Sequence, residues 1–286
     1  MPGIARNMDI SVALPPLAHA AAPTTLVGSA YAALRRDIIE GRLPPGSRLR
    51  VEHLKDSYGV GAGTLREALA LLVSDALVIV HGQRGFHVTP ISLEDFLDIT
   101  RNRMLMESEA LRQSILSGDD VWESRVIAAF HRLRRAEERL AVDRPGRFNE
   151  WEERNRDFHQ ALISACDSRW MHHFLGILYQ QAERYRRLTI VRDPIPRDLH
   201  DEHQGILDAT LARDADLASR LLREHIGTTY EAVKHLPAHL FDGSAPATTL
   251  HESPTGYGEK SSRTGMHAAS AAKAVHAADA DLTEDS

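Results

Sequence analysis

The sequence predicts a mainly α protein, an N-terminal winged helix-turn-helix joined to an all-helical antiparallel bundle. Three observations lead there. Residues 28–90 alternate short helical patterns with Gly-rich turns and end in strand-like pieces. Residues 91–236 repeat Leu and Ile every three or four positions, interrupted at Gly118, Pro145, Pro194 and Pro196, the pattern of bundled helices with short loops. Between them lies Thr89-Pro90-Ile91-Ser92, where Pro90 disfavours helix at Thr89 and Ser92 can cap the next helix.

In the first region, Tyr31, Leu34, Ile38 and Ile39 keep helical spacing and the helix stops at Gly41. Leu43-Pro44-Pro45-Gly46 makes a rigid turn. A second helix runs over about Val51–Tyr58 with Leu54 inward, and Gly59-Val60-Gly61 turns the chain. A third begins near Gly63-Thr64 and carries Leu65, Leu69 and Leu72 on one face. Two helices joined by a short Gly-containing turn form a helix-turn-helix. Leu77–Val80 and Phe86–Val88 then flank His81-Gly82-Gln83-Arg84-Gly85, which reads as a hairpin, the wing. Six helices complete the pattern at about 93–117, 120–141, 147–166, 168–190, 196–212 and 214–234.

Both ends read as disordered tails. Residues 1–27 have one early cation, Arg6, and an apolar run broken by Asp9, Pro15, Pro16 and His19, unlike a secretory signal. Residues 237–286 hold almost no large apolar side chain after Phe241 and cannot offset their ordering entropy. The single cysteine, Cys166, excludes an internal disulfide and a Cys-rich zinc finger and suits a reducing cytoplasm. No run approaches the roughly 18 apolar residues of a membrane span.

The net charge of −6 is unevenly spread. Residues 30–90 hold eight basic and six acidic side chains, residues 91–236 hold 22 and 26, and the rest of the C-terminal end three and seven. Phosphate binding needs a local basic face, so the acidic total excludes nothing. In a helix-turn-helix the third helix points its N-terminus into the major groove, which places Gly63, Thr64 and Arg66 against DNA. Free backbone N–H groups there favour phosphate, and an Arg can reach phosphate or a guanine edge. Arg84, with Gly85 behind it, sits at the wing tip. Arg48 and Arg50 precede the second helix and can hold phosphate.

In the second region His159, His203 and His225 lie on three different helical segments with apolar neighbours, and Asn155 shares a helix face with His159 at i, i+4. Imidazoles facing a bundle centre can bind zinc or a similar ion and leave positions open for a ligand. The same pattern also suits solvent-facing or hydrogen-bonded core histidines. Arg103 is a candidate clamp for a carboxylate, because its planar fork matches one; an i,i+4 ion pair with Glu107 is equally compatible. Arg184, Tyr185 and Arg187 are further candidates for the pocket. His172 and His173 read as surface residues, and Trp122, Trp151 and Trp170 as packing residues.

Leu34-Arg35-Arg36-Asp37-Ile38-Ile39-Glu40-Gly41, Leu43-Pro44-Pro45-Gly46, Thr64-Leu65-Arg66-Glu67-Ala68-Leu69 and Arg84-Gly85-Phe86-His87-Val88 together resemble the winged helix of the GntR family. That family usually opens its third helix with Ser/Thr-Arg-Thr-Pro. Gly61-Ala62-Gly63-Thr64 stands here, so Ala62 replaces the usual base-reading Arg, which implies a different operator. This opening is similar to the carbon-starvation-induced regulators of the family. Arg103-Met104-Leu105-Met106-Glu107, Phe158-His159, His203 with Ile206, and His225 resemble the FCD domain of its FadR-type members. The resemblance implies a cytoplasmic homodimer on a two-fold DNA operator, repression relieved by a small organic acid such as a dicarboxylate, and no catalytic role. It also implies a divalent metal ion, zinc by preference, held by His159, His203, His225 and Asn155, the last in place of the usual Asp. Arg103, Glu107 and Arg187 would contact the effector. Two rival readings use the same residues: a metal-responsive regulator without an organic effector, and a metal-dependent hydrolase, although no His-Glu-x-x-His spacing exists.

Overall fold

The structure is a computed structural model that describes residues 25–189 and 198–241. Helix α1 spans Leu26–Ile39 and starts where Thr25 accepts a hydrogen bond from the Gly28 N–H. Strand β1 (Arg48–Leu49), α2 (Val51–Tyr58) and α3 (Ala62–Ser74) come next, then β2 (Val78–Val80) and β3 (Phe86–Val88). The three strands form an antiparallel sheet in the order β1-β3-β2, with Arg48 opposite His87 and Ile79 also opposite His87 from the other side. The two-strand hairpin expected from sequence is thus a three-stranded wing. Its extra strand is too short to show period-2 patterning. Leu34, Leu65, Leu69, Leu72 and Leu77 are fully buried and close the core of this module.

The bundle comprises α4 (Leu93–Ser117), α5 (Asp120–Val142), α6 (Arg144–Ile163), α7 (Arg169–Leu188), α8 (Leu199–Leu211) and α9 (Ala215–Lys234). Each start is written in the chain. Ser92, Asp119, Asp143, Ser168, Asp198 and Asp214 all accept a hydrogen bond from a backbone N–H in the first turn of their helix, worth roughly 1 kcal/mol each. By contrast, α2 and α3 have no side-chain cap. Pro145 lies at the start of α6, where its missing N–H costs nothing, so this helix begins earlier than the expected residue 147. The bundle core holds Leu111, Val126, Leu133, Phe158, Leu162 and Ile206.

A smaller cluster of Ile91, Phe96, Ile99, Ala182, Tyr185 and Val233 ties α4, α7 and α9 together below the winged helix, with Phe96 stacked on Tyr185 at 4.4 Å. The expected boundaries shift here. Leu26 and Val27 are helical, and Val27 packs on the winged-helix core. Leu236 and Phe241 pack on the smaller cluster across a 3-10 turn at Ala238–Leu240. Apolar side chains at each edge bring a few tail residues into the fold. The remaining tail residues, 1–24 and 242–286, lie outside the described residues. No described helix is long and apolar enough to cross a membrane.

Candidate DNA interface and metal centre

Arg48, Arg50, Arg66 and Arg84 border one concave surface of about 400 Å3, together with His53 and Gly85. Three separate pieces of chain bring them there. Pairing of β1 with β3 sets Arg48 beside the wing. Arg66 is exposed on α3, at the edge of the face that buries Leu65 and Leu69. The wing turn closes with the Arg84 N–H on the His81 carbonyl at 2.6 Å. Gly85, at φ 82° and ψ −154°, takes a conformation that essentially only glycine adopts. The carboxylate on this surface, Glu52, is held by Lys55 at 2.7 Å. Gly63 and Thr64 lie in the uncapped first turn of α3, Gly63 exposed and Thr64 half-buried.

The three histidines converge inside the bundle. His159 comes from α6, His203 from α8 and His225 from α9, and one ring nitrogen of each lies within 4.8 Å of the others. All three are buried. Each Nδ1 faces its own carboxylate: His159 and Glu107 at 3.2 Å, His203 and Glu137 at 2.7 Å, His225 and Glu202 at 2.8 Å. A neutral imidazole that donates from Nδ1 keeps a lone pair on Nε2, which is how metal-binding histidines are oriented. Burial pushes His159 down to about 4, so its ring is neutral at pH 7. Burial alone would raise Glu107, but Arg103 and His159 outweigh it and hold the carboxyl near 2.

Two buried atoms in this centre lack a partner, Nε2 of His203 and Oδ1 of Asn155. Asn155 spends its other end on Tyr179, with Nδ2 donating to the hydroxyl at 2.6 Å. Three buried imidazoles and an amide oxygen, with two of these atoms unsatisfied, fit a divalent cation of the zinc type. Sequence reasoning missed Glu137 and Glu202. Glu202 adjoins His203 in sequence yet serves His225 on another helix, and nothing near Glu137 marks it.

Beside the histidines opens a cavity of about 550 Å3, bordered by Arg103, Asn155, His159 and His225 and walled by apolar groups such as Leu140 and Ile226. Of the expected effector contacts, only Arg103 borders it. Glu107 is occupied on both oxygens, by Arg103 Nε at 2.6 Å and by His159. It orients those two side chains instead of meeting a ligand. Arg187 also departs from expectation. It donates to Glu183 at 2.9 Å and Asn149 at 2.7 Å, away from the cavity. The residue before it, Arg186, borders the cavity and pairs with buried Glu152 at 3.0 Å. One residue turns a helix face by about 100°, and periodicity on an all-polar Arg-Arg pair cannot say which Arg faces in.

Arg184 and Tyr185 serve the junction with the winged helix, not the cavity. Arg184 donates to the Thr89 carbonyl and to Gln181, and the Tyr185 hydroxyl meets Asp95 and the Ser92 N–H. Trp122 packs as expected, with its indole N–H on the Ala161 carbonyl at 3.0 Å. Trp151, also read as packing, borders the cavity. Trp170 is half exposed at 48% and stacks on Phe174, i,i+4 on a free face of α7.

Comparison with known proteins places these features. The description "Bacterial regulatory proteins, gntR family" matches residues 26–88, and "FCD domain" matches residues 98–228. The chain is 51% identical over 210 residues to the uncharacterized HTH-type transcriptional regulator BphR of Paraburkholderia xenovorans, covering 73% of this chain and 86% of that one. It is 36% identical over 212 residues to the HTH-type transcriptional repressor GlaR of Escherichia coli, covering 73% and 96%. Among solved structures, E. coli McbR/YncC superposes with a TM-score of 0.61 at 20% identity over 74% of this chain and 98% of that one, and shares the fold.

Proposed function

The chain belongs to the GntR family of bacterial regulatory proteins and carries an FCD domain behind its winged helix; on that footing we propose that it is a repressor released from its operator by a small carboxylate that binds with a divalent metal ion. DNA-binding transcriptional regulation is the family's activity. The metal, the acid and the direction of control are the proposal. One observation carries it: three buried imidazoles, each facing its own glutamate, meet beside a cavity that Arg103 also borders.

His159, His203, His225 and Asn155 would hold the ion. When bound, it supplies a double positive charge that a carboxylate can reach from the cavity. Arg103 is held flat against Glu107 and keeps donors for the same anion. Zinc is the preferred ion because imidazole nitrogen dominates the donor set. The winged helix would grip DNA through Arg48, Arg50, Arg66 and Arg84, in the cytoplasm and as a homodimer on a two-fold operator.

Helix α7 is the path between the two ends. Tyr179 holds Asn155, while Gln180 accepts from Arg35 at 3.1 Å and Gln181 donates to the Asp75 carbonyl at 3.0 Å in the winged helix. A shift of α7 on ligand binding moves the DNA-reading head. A coupling of about 1–3 kcal/mol would change operator affinity 5–150-fold.

The test uses full-length protein and a duplex that it selects from a random library. Fluorescence anisotropy should report release when zinc and a straight-chain dicarboxylate such as adipate are added together. Release by zinc alone would replace the acid reading with metal sensing. No change of DNA affinity with either, in protein that binds them, would overturn the proposal.

A further inference from the structure

We propose that the exposed face of α4 pairs with the same face of a second copy of this chain, the two helices running antiparallel about a two-fold axis at the level of Ala110 and Leu111. This rests on the homodimer reading above and names the surface that forms the pair.

Six side chains carry it: Arg101, Leu105, Glu109, Arg112, Leu116 and Asp120. At 100° per residue the first five fall on α4 within an arc of about 80°, and Asp120 follows in the first turn of α5 beyond Gly118. All six are exposed, Leu105 to 69% and Leu116 to 70%. A lone exposed leucine is ordinary. Two on one stripe with charges at regular steps between and beyond them form a face suited to another helix.

The stripe is complementary to itself. Its intervals of four, four, three, four and four residues read the same from either end. In a two-fold contact residue i meets j while j meets i. With the axis midway between Glu109 and Arg112, Leu105 meets Leu116 of the second copy, Glu109 meets Arg112, and Arg101 meets Asp120. Each contact occurs twice, leucine packs on leucine, and every charge faces its opposite. In a parallel pair each charge would face its like, which is strongly disfavoured. A slip of one turn would set Leu105 against Arg112.

The charges are available for this. Among the described residues Arg101 and Asp120 make no ion pair. Glu109 accepts from Gln113 at 2.8 Å, and Arg112 donates to Asp216 at 2.6 Å. Asp216 is 86% exposed, and surface contacts of this kind are worth little, so they yield to charges on a second copy. The start of α7 widens the apolar area. Cys166 meets Gln113 at 3.1 Å, which sets Trp170 and Phe174 beside the Leu116 end of α4, and both rings are half exposed. The inward face of α4 holds Arg103 and Glu107, so the pair would set two effector centres back to back.

Sedimentation equilibrium of the full-length protein and charge-exchanged variants tests this. Glu109→Arg alone opposes like charges at both contacts nearest the axis, as does Arg112→Glu alone. Each should raise the dimer dissociation constant about tenfold or more. The double variant restores opposite charges and should pair as wild type does. A mixture of the two single variants is the most specific arm: one chain offers two Arg, the other two Glu, and native mass spectrometry should show heterodimers in preference to either homodimer. A melting curve for each variant checks that the fold is kept. Single variants that pair as tightly as wild type, or a mixture that pairs at random, would overturn this surface and leave the homodimer reading standing. A wild type that stays monomeric at every concentration would remove both.

Discussion

The Asn155 amide and the Tyr179 hydroxyl are 2.6 Å apart, and this bond joins the histidine centre to the helix that touches the winged helix. It also fixes which end of the amide is left for a metal. Oδ1 remains buried and unpartnered because Nδ2 is committed to Tyr179.

Replacing Asn155 by Asp adds a negative charge to a donor set that has none. Even well screened, a charge beside a divalent ion is worth at least ~1.4 kcal/mol, about tenfold in affinity. Asn155→Asp should therefore bind zinc about tenfold tighter or more in a chelator competition, and Asn155→Leu weaker than wild type. Equal zinc affinity for all three would mean that residue 155 is not a ligand.

The glutamates behind the imidazoles should matter almost as much as the imidazoles. Glu137→Gln and Glu202→Gln should each weaken zinc binding roughly 10–100-fold. Glu107→Ala should do more, because it also strands Arg103 in a buried place. That loss costs about 3–5 kcal/mol and lowers the melting temperature even without metal. An unchanged melting temperature would contradict the buried Arg103–Glu107 pair.

On DNA, Arg48, Arg50 and Arg84 should behave as phosphate contacts. Each substitution by Ala should lower affinity for all duplexes alike and reduce the slope of log affinity against log salt by about 1. Arg66→Ala should in addition relax sequence preference at one position if it meets a base edge, costing about 1–3 kcal/mol there. Selection from a random library with each variant reads both effects.

Gly63 should show opposite effects on fold and on binding. It is exposed inside α3, on the same face as Arg66 and Glu67, and a Cβ built on it meets nothing within 4 Å. The fold has no use for the missing side chain, so Gly63→Ala should stabilise the protein by about 0.5–1 kcal/mol. A DNA surface pressed against that turn would feel the new methyl, and operator affinity should drop. Gly59 is the contrast: at φ 62° it ends α2 in a left-handed conformation, and Ala there should destabilise. A Gly63→Ala variant that keeps full DNA affinity would place the closest approach elsewhere.

Communication between the two ends should fail when the α7 contacts are cut. Gln181 links the Asp75 carbonyl to Arg184, and Arg184 holds the Thr89 carbonyl beside the junction. Gln181→Leu should retain zinc and DNA binding but lose most of the acid-dependent change in DNA affinity, about 1–3 kcal/mol. Intact acid response in that variant would send the coupling through another path.

The sequence by itself determined which segments are helical, the winged helix and the three histidines. Those are local properties: a capping Ser or Asp, an apolar repeat and a turn glycine act over a few neighbouring residues. Motif spacing marked Arg66, Arg84, Arg103 and His159 for the same reason. Only the tertiary structure decided that Glu107 aims an imidazole, that Arg186 and not Arg187 borders the cavity, and that Glu137 and Glu202 stand behind His203 and His225. Each depends on which helix packs against which and at what rotation. A polar side chain carries no periodic signal of its own, so its partner is settled only when the apolar faces have closed and set the distances between helices.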